Sequence, residues 1–318
     1  MTGRYAAQGA QIVHALELYA RVEGIMAFED DGSDPRRAPG RTRAAKPRRR
    51  CDVVLGPYGS DSAPRSPTRQ VDVTALEPRR RRTTWKRLPD VVSVASPASG
   101  YLVATAEVVA ARRPGARVAV GLAAGRFAGL AGDGLLAAAA GLGIRIVAVL
   151  PLDAGAGALL ASSPDAVLLC GPLDREAPVV AELADAAPDV LLGGLSPGVD
   201  GFAAAAGGDV EGVLAPVQWH ADAAPGAPEL GPAAGQLAPS TEEIDRLDYV
   251  GIQAIAAAVV ARHCHAAVPD DPAAAARQLD TTTVLGRFRL DPVTGVQVGH
   301  RLTVIERRGG RRLLAPAG

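Results

Sequence analysis

Through the C-terminal two-thirds of the chain, short apolar runs alternate with Ala/Leu-rich stretches of helical period. Residues 117–122 (RVAVGL) follow a Pro-Gly turn and are short and continuously apolar, which predicts a buried strand. Residues 144–150, 166–169, 190–192 and 213–217 repeat that pattern. Between them, 129–141 and 177–186 predict helices, the first ending on glycine as helices commonly do. Strands that are apolar throughout and alternate with helices predict a parallel sheet covered on both faces. Further on, residues 241–261 predict one long helix, with Ser240 as its cap and Glu242 and Glu243 in its first turn. Asp271-Pro272 opens a shorter helix reaching to about Leu279. Residues 284–290, 302–305 and 312–315 predict closing strands, joined by turns at Asp291-Pro292 and Gly309-Gly310.

The first 95 residues follow the same grammar less completely. Residues 11–20 predict a helix and 25–30 a strand ending in acids. Residues 51–55 predict a strand that runs into Gly56-Pro57-Tyr58-Gly59-Ser60. The windows 38–50 and 63–85 show neither period. They coincide with an anomaly of charge. The 318-residue chain is neutral, with 34 basic and 34 acidic residues, yet eight basic residues lie from Arg36 to Arg50 and eight more from Arg65 to Arg87. Such runs suggest a nucleic-acid-binding arm or a solvated loop. No aromatic stacking platform accompanies the arginines, which argues against nucleic acid. A hydrophobic fraction of 48% excludes full-length disorder, and the length fits one large domain or two smaller ones. Aromatics are only 3%, so the cores are built from small aliphatic side chains. Cys51, Cys170 and Cys264 are too few and scattered for a disulfide framework or a structural zinc site. No run is bounded like a membrane span, and the first 30 residues lack a signal-peptide pattern, so the chain as written is expected to remain cytoplasmic.

Several segments together resemble the branched-chain amino-acid (Leu/Ile/Val)-type substrate-binding proteins of ABC transporters, within the type I periplasmic binding proteins. They are Thr2-Gly3-Arg4-Tyr5-Ala6-Ala7-Gln8-Gly9, Glu29-Asp30-Asp31-Gly32-Ser33-Asp34-Pro35 and Leu55-Gly56-Pro57-Tyr58-Gly59-Ser60. Ser96-Pro97-Ala98-Ser99-Gly100-Tyr101 is similar to the family's first hinge crossing, and Glu211-Gly212-Val213 with Gln218-Trp219-His220 to the return crossing. The tail, Leu285 to Pro292 and Thr294 to His300, is the most specific match. The resemblance implies an α/β protein of two Rossmann-like, doubly wound lobes joined by a three-crossing hinge. It implies lobe one at 1–95 and 221–291, and lobe two at 96–220 and 292–318. The ligand would lie in the cleft at the carboxyl ends of the strands, and closure would be a hinge motion. The implied function is non-catalytic, extracytoplasmic capture of a small polar solute, an amino acid or related carboxylate or amide, for an ABC permease. A ligand-binding sensor and an inert product of a decayed gene are the alternatives.

Two departures from the family pattern matter. The family has a strand before the turn that Met1 occupies here, so the first strand of lobe one is expected to be missing. That strand would be interior, and its loss leaves backbone unpaired on both neighbours. The second departure is Leu76-Glu77-Pro78-Arg79-Arg80-Arg81, where relatives often have a Leu-Trp-Asn-His-Gly-Gly-Ala-like segment. The GC-rich coding of that segment, C TGG AAC CAC GGC GGC GC, reads Leu-Glu-Pro-Arg-Arg-Arg when shifted by one base. The expectation is that a stretch ending near Trp85 is translated out of frame.

The implied ligand-binding residues are Ser60, Gly59, Tyr58, Gln8, Phe127, Tyr101 and Ser196. Gly56 to Ser60 ends a strand where a helix should begin, and small residues there let N–H groups approach an anion. In the family the serine matching Ser60 binds the ligand carboxylate. Gln8 matches a cleft position, and Phe127 a position where relatives set an aromatic against the ligand. Hinge packing competes with ligand contact at Tyr101 and Trp219. Amino-acid-binding relatives carry a carboxylate in the loop matching Gly194-Leu195-Ser196-Pro197-Gly198, which has none. That loop is formally a G-x-S-x-G nucleophile elbow. Pro197, however, lacks the N–H that an oxyanion hole needs, so no catalytic residue is assigned. His263-Cys264-His265 on a helix point about 100° apart and cannot converge on one metal. The glycine-rich Gly141-Leu142-Gly143 and Gly155-Ala156-Gly157 lack a phosphate-binding pattern, so no cofactor is expected.

Overall fold

The computed structural model describes residues 6–23, 54–55, 70–72, 91–237 and 247–316. The chain divides into two units, residues 1–97 with 218–301 and residues 98–217 with 302–318, and so passes between them three times. The first unit begins with α1 (Ala6–Glu23), β1 (Val54–Leu55), β2 (Gln70–Asp72) and β3 (Val91–Ser93). The second unit follows with α2 (Gly100–Arg112), β4 (Arg117–Leu122), α3 (Arg126–Ala138), β5 (Arg145–Pro151) and α4 (Gly155–Leu160). It continues with β6 (Ala166–Cys170), α5 (Leu173–Ala186), β7 (Leu191–Gly194), α6 (Phe202–Ala206) and β8 (Leu214–Val217). The first unit resumes with α7 (Ala234–Leu237), α8 (Tyr249–Ala267), α9 (Pro272–Gln278), β9 (Asp280–Thr283) and β10 (Gly286–Arg289). The strands β11 (Thr303–Arg308) and β12 (Arg311–Leu314) complete the second.

In the second unit the strand period sorts side chains onto two faces. Val118 and Val120 of β4 and Leu168 of β6 join one apolar cluster with Leu102 and Val109 of α2 and Leu135 of α3. Their neighbours Ala119, Val167 and Leu169 join a second cluster with Leu159 of α4 and Leu183 of α5. A sheet with both faces apolar must be covered twice, which is why its strands read as continuous apolar runs. The order is β12-β11-β8-β7-β6-β4-β5, with β5 through β8 parallel and β11 and β12 antiparallel. Close approach of α2 and α3 depends on Gly134, where an added Cβ would lie 2.1 Å from the Ser99 carbonyl oxygen. The doubly wound sheet expected from the alternating pattern is present.

The first unit packs α1 on α8. Ala15, Leu16 and Tyr19 share a core with Ile252 and Ile255. By length and composition α8 is apolar enough to cross a membrane, but 72% of it is buried within the protein, so it serves as a core helix. Strands β1, β2 and β3 form a parallel sheet in that order, and β9 pairs with β10 in a hairpin.

Three expectations are corrected. The predicted helix over 241–261 instead begins at Tyr249, because Leu247 and Asp248 are not helical and the Asp248 carboxylate accepts from the Tyr249 N–H at 2.6 Å. It then continues to Ala267. The proposed cap Ser240 lies outside the described residues, as does the predicted strand at 25–30. The strand predicted over 284–290 is shortened to β10, because Val284 and Leu285 form the turn that joins it to β9, and Gly286 leaves that turn at φ +131°. Finally, β2 lies inside the window 63–85 that shows no period by sequence. Val71-Asp72-Val73-Thr74 does alternate, and three residues are enough to pair with two neighbours.

Candidate functional site

Open parallel sheets bind ligands beyond the carboxyl ends of their strands. In the second unit that edge carries the turns after β4, β6 and β7. After β4, Gly125 at φ +143° precedes α3, and Phe127 stands half-buried in its first turn. The Phe127 ring meets Tyr101 of α2 edge to face, with centroids 5.1 Å apart. This arrangement favours the positive ring edge against the negative face. Tyr101 itself is buried.

The turns after β6 and β7 meet at one carboxylate. Glu176, in the first turn of α5, is fully buried. Its Oε2 accepts from the Gly171 N–H at 2.6 Å. Its Oε1 accepts from the Ser196 N–H at 2.6 Å and the Ser196 hydroxyl at 2.7 Å. Burial pushes this carboxyl up to about 7, against the Ser196, Gly171 and Leu195 donors, which favour the ionised form. Burial, reinforced by the Glu176 charge, also raises the neighbouring Cys170 thiol well above its ordinary value. The carbonyls of the same turn face guanidinium groups. Arg307 Nη1 donates to the Pro197 oxygen at 3.1 Å, and Arg312 Nη1 to the Gly198 oxygen at 3.0 Å. Arg307 also lies over the Phe202 ring at 5.1 Å, and Arg312 pairs with Asp200 at 3.3 Å.

The first unit holds a different array, next to the three points where the chain crosses between the units. Gln218 Oε1 accepts from the Ser96 N–H at 3.0 Å, and its Nε2 donates to the Ser96 carbonyl at 3.2 Å. The Ser96 hydroxyl donates to the His300 carbonyl at 3.0 Å. His300 Nε2 faces the Gln218 carbonyl at 2.8 Å and therefore carries the proton. Gln297 Nε2 donates to the Val94 carbonyl at 3.1 Å, while its Oε1 accepts from the Gly299 N–H at 2.8 Å. Burial lowers the His300 imidazole to about 4, with the Gln218 carbonyl opposing that shift. The ring is neutral at ordinary pH.

Of the residues singled out by sequence, Phe127, Tyr101 and Ser196 all lie in the second unit. Phe127 and Tyr101 touch each other, while Ser196 is buried with its hydroxyl committed to Glu176. Gln8 lies in α1, and Tyr58, Gly59 and Ser60 lie outside the described residues. On α8, Cys264 is buried and His263 exposed, so these neighbours face different surroundings. Among the described residues no group of three His, Cys, Asp or Glu side chains is placed to hold a metal. Sequence reasoning missed Glu176, because the helix was started one residue after it. It also left Gln218, Gln297 and His300 without roles inside segments it had noticed. Glycine keeps both arrays clear, since a Cβ at Gly194 would lie 2.5 Å from the Glu176 Oε1, and one at Gly286 would lie 2.8 Å from the His300 Nδ1.

The periplasmic binding protein family matches residues 1–310. Three solved structures are similar along nearly the whole chain. A leucine-binding protein from Thermotoga maritima is 16% identical, with 99% of this chain and 95% of that one covered and a TM-score of 0.79. A branched-chain amino-acid transporter substrate-binding protein from Streptococcus pneumoniae, in complex with isoleucine, is 13% identical, with 98% and 94% covered and a TM-score of 0.78. A solute-binding protein of an ABC transporter from R. palustris, in complex with 4-hydroxybenzoate, is 16% identical, with 99% and 93% covered and a TM-score of 0.77. At these identities the likeness establishes the fold, that of the type I periplasmic binding proteins. No curated protein sequence matches the chain significantly.

Proposed function

The chain belongs to the periplasmic binding protein family, and from that premise we propose that it captures a small carboxylate-bearing solute outside the cytoplasm for an ABC importer. The observation that carries this reading is the half-buried Phe127, set in the turn after β4 at the carboxyl edge of the second unit's sheet. An aromatic ring there, braced from behind by Tyr101, offers an apolar face to a flat or branched solute. The second unit contributes Phe127, Tyr101 and, through the turn it anchors, Ser196. The resemblance adds Gln8, Tyr58, Gly59 and Ser60 as further expected contacts, with the Ser60 hydroxyl as the carboxylate partner.

The turn after β7 offers no free carboxylate to a ligand ammonium, because Glu176 is buried and bound to its own loops. An aromatic acid is therefore the first solute to test. Asp174, exposed in the first turn of α5, gives an ammonium an acidic partner on this edge, so leucine is the second. Titration calorimetry of the full chain with 4-hydroxybenzoate, benzoate, leucine and isoleucine tests the reading. Saturable binding of an acid, weakened about tenfold by Phe127→Ala, is the expected result. Binding that is indifferent to Phe127 would remove the observation on which the reading stands.

A further inference from the structure

The turn Leu195–Gly198 is held by three charged side chains from three elements. Its donors face Glu176 of α5, and its carbonyls face Arg307 of β11 and Arg312 of β12. Loops at sheet edges are ordinarily the mobile part of a fold. This one has an acceptor beneath its N–H groups and a donor for two of its carbonyls. The same Glu176 also reaches the Gly171 N–H, so one side chain ties the turns after β6 and β7 together. A fully buried carboxylate is costly, and an apolar residue would fill the same position on α5 at less cost. What an apolar residue lacks is an acceptor for each turn. Gly194 preserves the space the carboxylate occupies.

We propose that Glu176 is a positioning residue, one that fixes the turns after β6 and β7 as a rigid solute-facing edge; the proposal rests on the reading above that this edge takes the solute. Protonating or replacing the carboxylate would free both turns at once, without removing any group that touches the solute. Cys170 on β6 is the titratable neighbour of Glu176; Arg307 and Arg312 reach the same turn and pair with Asp209 and Asp200, and Asp174 and Arg175 precede Glu176, exposed, on α5. With the carboxyl raised to about 7 and the Cys170 thiol higher still, Glu176 is the group that titrates near neutrality here.

The test is amide NMR of the full chain between about pH 5.5 and pH 8.5, without any solute. In the unmodified protein the Gly171 and Ser196 amide signals should titrate together with a common midpoint near 7, and in Glu176→Gln both should be flat. Signals that move independently, or that still titrate in Glu176→Gln, would overturn the proposal. Should Glu176→Gln not fold, Ser196→Ala decides, since it removes one donor to the carboxylate and should move the Gly171 midpoint upward. An unmoved midpoint counts against the proposal. With 4-hydroxybenzoate or leucine as probe, affinity should fall about fivefold from pH 8 to pH 5.5, as the charge-assisted bonds become neutral ones, and the fall should vanish in Glu176→Gln. The same pH dependence in the variant would also overturn the proposal. If neither probe binds, solute capture fails as a reading, while the amide titration still decides the role of Glu176.

Discussion

Each unit ties together segments far apart in sequence with buried polar groups, but the two do so with opposite chemistry. The first unit joins residues 94–96, 218 and 297–300 with amides, a hydroxyl and a neutral imidazole. The second joins the turns after β6 and β7 with a carboxylate and two guanidinium groups. A neutral array loses little when buried, provided every donor meets an acceptor. A charged array carries a desolvation cost that only dense hydrogen bonding offsets. Deletion, acid and salt should therefore act on the two units differently.

Deleting the central side chain of each array gives the largest separation. Glu176→Ala leaves the Gly171 N–H, the Ser196 N–H and the Ser196 hydroxyl without their buried acceptor, and should cost about 3–5 kcal/mol. Gln218→Ala removes two neutral bonds to Ser96 and should cost about 2 kcal/mol. Urea unfolding of both variants measures the gap. Equal losses would mean that charge adds nothing to the second array.

Acid should move the two units in opposite directions. His300 is held at about 4 in the folded state, below the ordinary 6.5. Between those values the unfolded chain binds more protons, so its contribution is complete above about 6.5 and is lost as pH falls to 4. Glu176 is held at about 7, above the ordinary 4.5. Its folded state binds more protons in between, so its contribution is complete below about 4.5 and is lost as pH rises through 7. Each effect is of order 3 kcal/mol. Protonating Glu176 thus relieves the burial cost while it relaxes the two turns, so the second unit becomes more stable and less well organised together. Native-state hydrogen exchange at about pH 4.5 and pH 7 should show protection in the first unit falling on acidification and protection in the second rising. Protection that moves the same way in both units would break the comparison.

The part of this comparison that was legible in the sequence is the part carried by periodicity. Residues 117–122 and 166–169 announced buried strands because both faces of the sheet are covered, and those strands formed with β4 unchanged at both ends. The polar arrays were not legible, because their members are brought together across long separations. Ser96 and His300 are 204 residues apart, and no local pattern marks such a pair. Glu176 was hidden for another reason: a glutamate in the first turn of a helix is what the helix dipole alone would select, so its burial leaves no trace. The hairpin turn at residues 284–285 and the start of α8 after Asp248 were missed because a tight turn and a capping side chain override the local pattern. For residues 58–60 the resemblance alone speaks, and Ser60 stands as the proposed carboxylate contact.

The smallest effect concerns the outer arm of the charged array. The Arg312 side chain is 25% exposed and Arg307 only 10%, so the two guanidinium groups on the same turn differ in their access to water. In Arg312→Ala the Gly198 carbonyl regains solvent, and the pair with Asp200 is a partly exposed one of modest worth. The expected loss is about 1 kcal/mol or less. Because ions screen an exposed pair and not a buried one, raising salt from about 0.05 M to 1 M should shrink that loss further. The loss from Gln218→Ala should not respond, since its two bonds to Ser96 join neutral groups. Unfolding curves for the two variants at both salt concentrations make the measurement. A loss from Arg312→Ala as large as that from Glu176→Ala, and independent of salt, would show that the turn is held mainly through its carbonyls and not by the carboxylate beneath it.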